Sequence, residues 1–92
     1  ASGKDYPRII GSGFQLPGAD LRERQIENAD LPNINLEGAR LRHSVWRNVN
    51  LRGGNLANAD ASHAEFHDCK FTQANLRSAN LTAAVFFRNR VD

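Results

Sequence analysis

Apolar residues, all large except Ala61, recur at every fifth position through most of this chain: Leu16, Leu21, Ile26, Leu31, Leu36, Leu41, Trp46, Leu51, Leu56, Ala61, Phe66, Phe71, Leu76, Leu81 and Phe86. The frame is clearest in residues 74–84, ANLRSANLTAA, and holds for fifteen repeats. A five-residue step advances about 500° around an α-helix, so these side chains would spiral over every face. On a flat strand, an odd step sends alternate leucines to opposite sides. Neither regular element buries them. A chain that turns a corner every five residues does.

Take the large apolar residue as the centre of each repeat. The residue two before it shares its side of an extended segment, the one between points away, and the two after it make the turn. Small residues fill the position two before the centre in eleven of fifteen repeats: Ala19, Ala29, Ala39, Ser44, Gly54, Ala59, Ala64, Cys69, Ala74, Ala79 and Ala84. That column is sterically restricted. The position just before the centre is mainly polar, with Asp20, Asn35, Asn50, Asn55, Asp60, Asn75 and Asn80. Four right-angle corners close a square, so four five-residue repeats make one coil. The fifteen repeats make just under four coils, stacked at roughly 4.8 Å by parallel main-chain pairing. Such a solenoid is stabilised only by the stacking of its repeats.

ADLRE at residues 19–23, ANLRS at 74–78 and ANLTA at 79–83 resemble the A-(D/N)-L-x-x pattern of the pentapeptide-repeat family. The resemblance covers residues 14–88 and implies an all-β fold, the right-handed quadrilateral β-helix of that family. Phe14, Arg24, Ile34 and Val49 depart from it by replacing the small residue. The domain reading is an N-terminal cap or leader over residues 1–13 and a pentapeptide-repeat β-helix over 14–92. Residues 6–10 are expected to be the cap, because an open solenoid end exposes apolar side chains and strand edges.

Residues twenty apart should stack. One side then carries Leu16, Leu36, Leu56 and Leu76, and the next carries Leu21, Leu41, Ala61 and Leu81. The third is an aromatic ladder of Ile26, Trp46, Phe66 and Phe86; the fourth is Leu31, Leu51, Phe71 and Val91. The aromatics read as core. Trp46, beside the small Ser44, is expected to fill space left by Ala61 and to be shielded by Ile26 and Phe66. Arg24 falls in an inward slot of the first coil, where either its stem passes out through the open end towards Asp5 or the first coil is locally disordered.

Charge alternates coil by coil. Acids dominate residues 20–37; residues 38–59 hold no acid but Arg40, Arg42, Arg47 and Arg52; acids return at 60–70, and Arg77, Arg88 and Arg90 follow. Asp20, Arg40 and Asp60 share a column, and Glu27 lies one coil from Arg47, so opposite charges are expected to stack across strands. The arginine girdle is also a candidate site for an acidic partner. Four arginines spread around a square cannot all face one duplex, and Phe87 is the outward aromatic available for base stacking, so nucleic acid is not the expected partner. The net charge of +2 and pI near 9.2 are mildly basic and say little more.

His43 and His63 should stack at about 5 Å below Glu23, which makes a zinc-type trio conceivable, although exposed turn histidines are the preferred reading. Cys69, the single cysteine, falls in an inward column and reads as a small buried hydrophobe. It excludes an intrachain disulfide framework and fits a reducing compartment, so the chain as given is expected to be cytoplasmic. No apolar run approaches the ~18 residues of a membrane span. There is no Ser–His–Asp set, no glycine-rich phosphate loop and no paired carboxylates, so neither catalysis nor a cofactor or metal is expected.

The expected function is therefore a structural or protein-interaction module without enzymatic activity, as the resemblance implies for many family members. It also implies an alternative, a DNA mimic that inhibits or protects a type II topoisomerase, because some family members protect gyrase. Those are elongated acidic rods with a helical C-terminal dimerisation segment, whereas this chain is positive and ends in FFRNRVD. Phe86, Phe87 and Val91 close the last coil, where an apolar floor and unpaired main chain invite association. The expected occupant is an unidentified protein partner, a second copy in a two-fold dimer, or the continuation of a larger parent protein.

Overall fold

The structure, a computed structural model, describes residues 11–91. Four three-residue strands, β1 (Gln25–Glu27), β2 (Val45–Arg47), β3 (Glu65–His67) and β4 (Val85–Phe87), form one parallel sheet in the order β1-β2-β3-β4. Ile26, Trp46, Phe66 and Phe86 are successive register partners, so the aromatic ladder lies on this side, stepping by twenty residues. The other three sides are held by single parallel bridges at the same interval, among them Gln15–Asn35, Asp20–Arg40 and Asp30–Asn50. The described residues contain no helix. The expected quadrilateral solenoid is the fold. The anticipated cap at residues 6–10, and Asp5 as a partner for the half-buried Arg24, lie outside the described residues.

The corners follow from a backbone rule. In all fifteen repeats the second residue after the centre has a positive φ, between 54° at Asn28 and 70° at Gly18. Glycine and asparagine, the residues that tolerate this region best, fill seven of these positions, and none holds a β-branched residue. Leu16-Pro17-Gly18-Ala19 shows the type II chemistry: proline presets the first turn residue, glycine takes the left-handed one, and the Ala19 amide donates to Leu16 O at 3.2 Å. The same bond closes eleven corners, through Leu41 (3.0 Å), Leu56 (3.1 Å) and Phe71 (2.8 Å) among others. The polar column has its explanation here. Asp20, Asn35, Asn50, Asn55, Asp60, Asn75 and Asn80 each use Oδ1 to accept the amide two residues on, at 2.9–3.2 Å, which ties the side chain to its own turn. Asp30 precedes Pro32, which has no amide proton; its Oδ1 instead accepts from Asn50 Nδ2 of the next coil at 2.8 Å.

The corner after the aromatic side lacks the closing turn bond and is plugged from the inside. Asn89 Oδ1 accepts from the Cys69 amide at 2.7 Å, and its Nδ2 donates to Phe66 O at 3.0 Å. One coil earlier Cys69 does the same: its thiol donates to Trp46 O at 3.5 Å and takes the Val49 amide on sulfur.

Leu36, Leu41, Leu51, Leu56, Trp46 and Phe66 are almost fully buried. Each such side chain contributes about 1.5–3 kcal/mol by leaving water. One departure from the small column is compensated, and one member of it has a second role. Ile34 is buried against Gly54 of the next coil, where an added Cβ would stand 3.4 Å from Ile34 Cγ2 and 3.0 Å from Leu51 O. Ser44 is small, but its hydroxyl is what matters: Oγ accepts from Trp46 Nε1 at 2.8 Å and donates to Leu41 O. Trp46 is 1% exposed and sits between Ile26 and Phe66, as expected, with its ring 6.0 Å from that of Phe66.

The charge columns align but do not pair as expected. Asp20 and Arg40 are bridge partners, yet the Asp20 carboxylate is drawn over its own turn and binds Arg22 at 2.8 Å. Asp60 accepts from the Ser62 hydroxyl at 2.7 Å, and Glu27 and Arg47 are register neighbours without an ion pair. For Asp20 and Asp60 the Asx turn decides the matter, because it fixes the carboxylate over its own turn. Among the described residues, the ion pair that crosses from coil to coil is Arg88–Asp68 at 3.0 Å.

Candidate interaction surfaces

The arginine girdle does not form one site. Arg40 and Arg42 share the side centred on Leu41, Arg47 lies outward on β2, and Arg52 follows Leu51 on a third side; all four are exposed. Arg40 and Arg42 flank Asp60, whose pKa is held below the usual carboxylate range by the Ser62 hydroxyl and amide, with smaller help from Arg42. The Arg22 guanidinium and amide lower Asp20 in the same way, and Asp20 in turn raises Arg22. These groups stay charged at neutral pH and hold their turns.

His43 and His63 stack as expected, with ring centroids 5.0 Å apart and planes 19° from parallel. Glu23 does not complete a trio with them: among the described residues no group of three or more His, Cys, Asp or Glu side chains is placed to hold a metal ion. His67 binds Glu65 at 3.0 Å instead, across the outer face of β3. Cys69 is buried, and burial pushes its thiol up to about 11, so the nucleophilic thiolate is scarce at neutral pH. A polar groove of about 330 Å³ runs along the plugged corner, with Asn28, Asn48 and Asp68 on one side and Asp30, Asn50 and Lys70 on the other. No nucleophile–base pair converges in it.

The last coil is different from the rest. Leu81, Val85, Phe86, Phe87 and Val91 are all exposed, and β4 has every residue exposed where β2 and β3 bury their centres. In the coil above, the amides of Leu56, Asn58, Ala61, His63 and Asp68 donate downward to Asn75, Arg77, Asn80, Thr82 and Phe87. Their counterparts one coil later, on Leu76, Ser78, Leu81, Ala83 and Arg88, have no main-chain acceptor among the described residues. Phe86 packs at a tilt against Phe66 and Phe71, at 5.1 and 5.5 Å, which fixes the floor from above. Phe87 points outward, with the Arg88 guanidinium 4.8 Å over its ring and His67 beside it at 6.1 Å. The structure thus brings Phe86, Phe87 and Val91 to one end and leaves the four arginines dispersed. One participant, Val85, was not among the residues expected at this end; an outward valine on the final strand was the available signal.

Comparison with known proteins agrees with this architecture. A family model described as pentapeptide repeats matches residues 19–53 and 47–82, in eight copies. None of the curated proteins matches the sequence. Among solved structures, one trypsin-treated form of QnrB1, a plasmid-mediated fluoroquinolone resistance protein, superposes with a TM-score of 0.88 at 18% identity, covering 95% of this chain and 45% of that one. A second trypsin-treated form gives 0.67 at 15% identity, covering 92% and 54%. The chain spans about half the length of these structures, and at such identities the likeness is one of fold.

Proposed function

The chain belongs to the pentapeptide-repeat family, and from that premise we propose that it works without catalysis, as a rigid module that binds protein through the apolar face that residues 81–91 present. The observation that carries this reading is the concentration of Leu81, Val85, Phe86, Phe87 and Val91 at one end, beside a row of amides without main-chain acceptors among the described residues. Buried main-chain groups must be paired, and exposed parallel edges template association, so this end is stable in water but gains from being covered. The sides offer no comparable patch among the described residues. Arg40 and Arg42 are the part of the girdle open to a single flat partner; Arg47 and Arg52 face other directions.

Three occupants fit the end: a second copy related by a two-fold axis, another polypeptide continuing the stack, or the continuation of a larger parent protein. Light scattering at rising concentration, on wild type and Phe87→Glu, tests the reading. Association that the variant abolishes supports a self-binding end. A monomeric wild type whose floor also fails to enhance an apolar dye, relative to Phe87→Glu, overturns the proposal, because the end would then be closed by its own chain.

A second reading, protection of gyrase, is favoured by the likeness in fold to QnrB1, whose name records fluoroquinolone resistance. The net charge of +2 and the basic last coil oppose mimicry of a duplex. A supercoiling assay with purified gyrase and a fluoroquinolone separates the two: rescue of supercoiling by the protein would establish protection, and no effect would leave the interaction module.

A further inference from the structure

Two imidazoles stand one above the other at a rigid corner of the solenoid. Glu23, His43, His63 and Ala83 occupy the same turn position in successive coils, all with a left-handed φ, 62° at His43 and 59° at His63. Each histidine turn is closed by a main-chain bond of 3.0 Å, from the Ser44 amide to Leu41 O and from the Ala64 amide to Ala61 O. The His43 amide donates to Ser62 O at 3.3 Å, which ties the two turns together. The rings lie 5.0 Å apart with planes 19° from parallel. Both are exposed, and neither has a hydrogen-bond partner for its ring nitrogens among the described residues. His67 differs, because Glu65 already engages its Nε2 at 3.0 Å. Arg42 brings positive charge to this corner, and Asp60 offsets it: the Ser62 hydroxyl and amide keep that carboxylate ionised, close enough to feel both Arg42 and His63.

From this arrangement we infer that His43 and His63 together form a two-imidazole site for a divalent late first-row transition metal, of the class of Cu2+, Ni2+ or Zn2+. Neutral imidazole is a preferred ligand of these ions. A metal–nitrogen bond of about 2.0–2.1 Å requires the two donor nitrogens to stand about 3 Å apart. The stacked rings start further apart than that, and a tilt of two exposed side chains closes the gap while the main chain stays fixed. Water fills the remaining coordination positions, since among the described residues no third His, Cys, Asp or Glu side chain is placed to bind. The pair exists only when the coils are stacked, so metal bound there stabilises the fold. The site lies on the second and third coils and does not depend on the face that residues 81–91 present.

The test is a titration of the full chain with Zn2+, Cu2+ and Mg2+ salts, each alone, at neutral pH in a buffer that does not chelate. Zn2+, followed through the histidine ring resonances by NMR, should shift His43 and His63 together and leave His67 in place. Calorimetry should rank Cu2+ above Zn2+ and detect no binding of Mg2+, which prefers oxygen ligands. His43→Ala and His63→Ala should each weaken Zn2+ binding at least about ten-fold, while His67→Ala should leave it unchanged. Alanine suits this turn, because Ala83 holds the same position with a φ of 58°. Zn2+ should also raise the Tm of the wild type and of neither single variant of the pair. An absence of any shift at a large excess of Zn2+, a shift of only one of the two rings, or a shift at His67 instead would overturn the site. So would an affinity that survives either His43→Ala or His63→Ala. The NMR result on the wild type decides the matter even if a variant fails to fold.

Discussion

Replacing Ser44 with alanine removes one oxygen atom and tests how the second coil accommodates its tryptophan. Ser44 is fully buried and Trp46 is 1% exposed, so neither group can turn to water when the hydroxyl is lost. Leu41 O keeps the Ser44 amide at 3.0 Å and is not orphaned. Trp46 Nε1 loses its acceptor at 2.8 Å. An unpaired buried donor costs about 1–3 kcal/mol, and removal of the buried hydroxyl itself returns a fraction, so the expected net loss is about 1–2 kcal/mol. For a domain of this size that lowers Tm by about 4–8 °C per kcal/mol. The next coil supplies the control, because Ala64 and Phe66 occupy the corresponding positions. In the Trp46→Phe background there is no indole N–H, so Ser44→Ala should be close to neutral. Urea unfolding followed by far-ultraviolet circular dichroism, on the two single variants and the double, gives the coupling directly. A Ser44→Ala cost of the same size in both backgrounds would refute the hydrogen-bond account and leave only packing.

Two further outcomes follow from the turns and the thiol. Asn55→Ala should cost about 0.5–1.5 kcal/mol by freeing the Ala57 amide, which Oδ1 now holds at 3.0 Å, while Asn55→Asp keeps the acceptor and should retain most of the stability in the same unfolding assay. Cys69 has its folded pKa raised to about 11, so the unfolded chain loses its proton first. Stability should therefore be fully present below about pH 8.5 and decline as pH rises towards the folded value, a slope that Cys69→Ser should abolish; a thiol reagent reacting at the rate of a free thiol in the native protein would contradict the burial.

Much of this was legible in the chain because a period of five leaves one solution. The register of Ile26, Trp46, Phe66 and Phe86, the stacking of His43 on His63 and the burial of Cys69 all follow from counting by five and by twenty. Pairings that depend on side-chain direction were not legible. Asp20 and Arg40 do share a column, but the column does not reveal that the amide of Arg22 captures the Asp20 carboxylate. The preference for Asp and Asn before each centre held that information, as an Asx turn rather than a merely polar surface. Asn89 and Cys69 plug the one corner without a turn bond, and a strict repeat gives no sign that its four corners differ. At the last coil, Phe86, Phe87 and Val91 could be read from their position in the frame. Val85 joins them because it stands exposed on the final strand, which its place just before a centre did not reveal.

If the last coil is an open edge ready to take a strand, amide hydrogen exchange will show it residue by residue. In the protein alone at low concentration, the amides of Leu76, Ser78, Leu81, Ala83 and Arg88 should exchange near the rate of an unstructured chain, while those of Leu56, Asn58, Ala61, His63 and Asp68, bonded one coil above, should be strongly protected. Protection of the first set in the isolated protein, independent of concentration, would contradict the account.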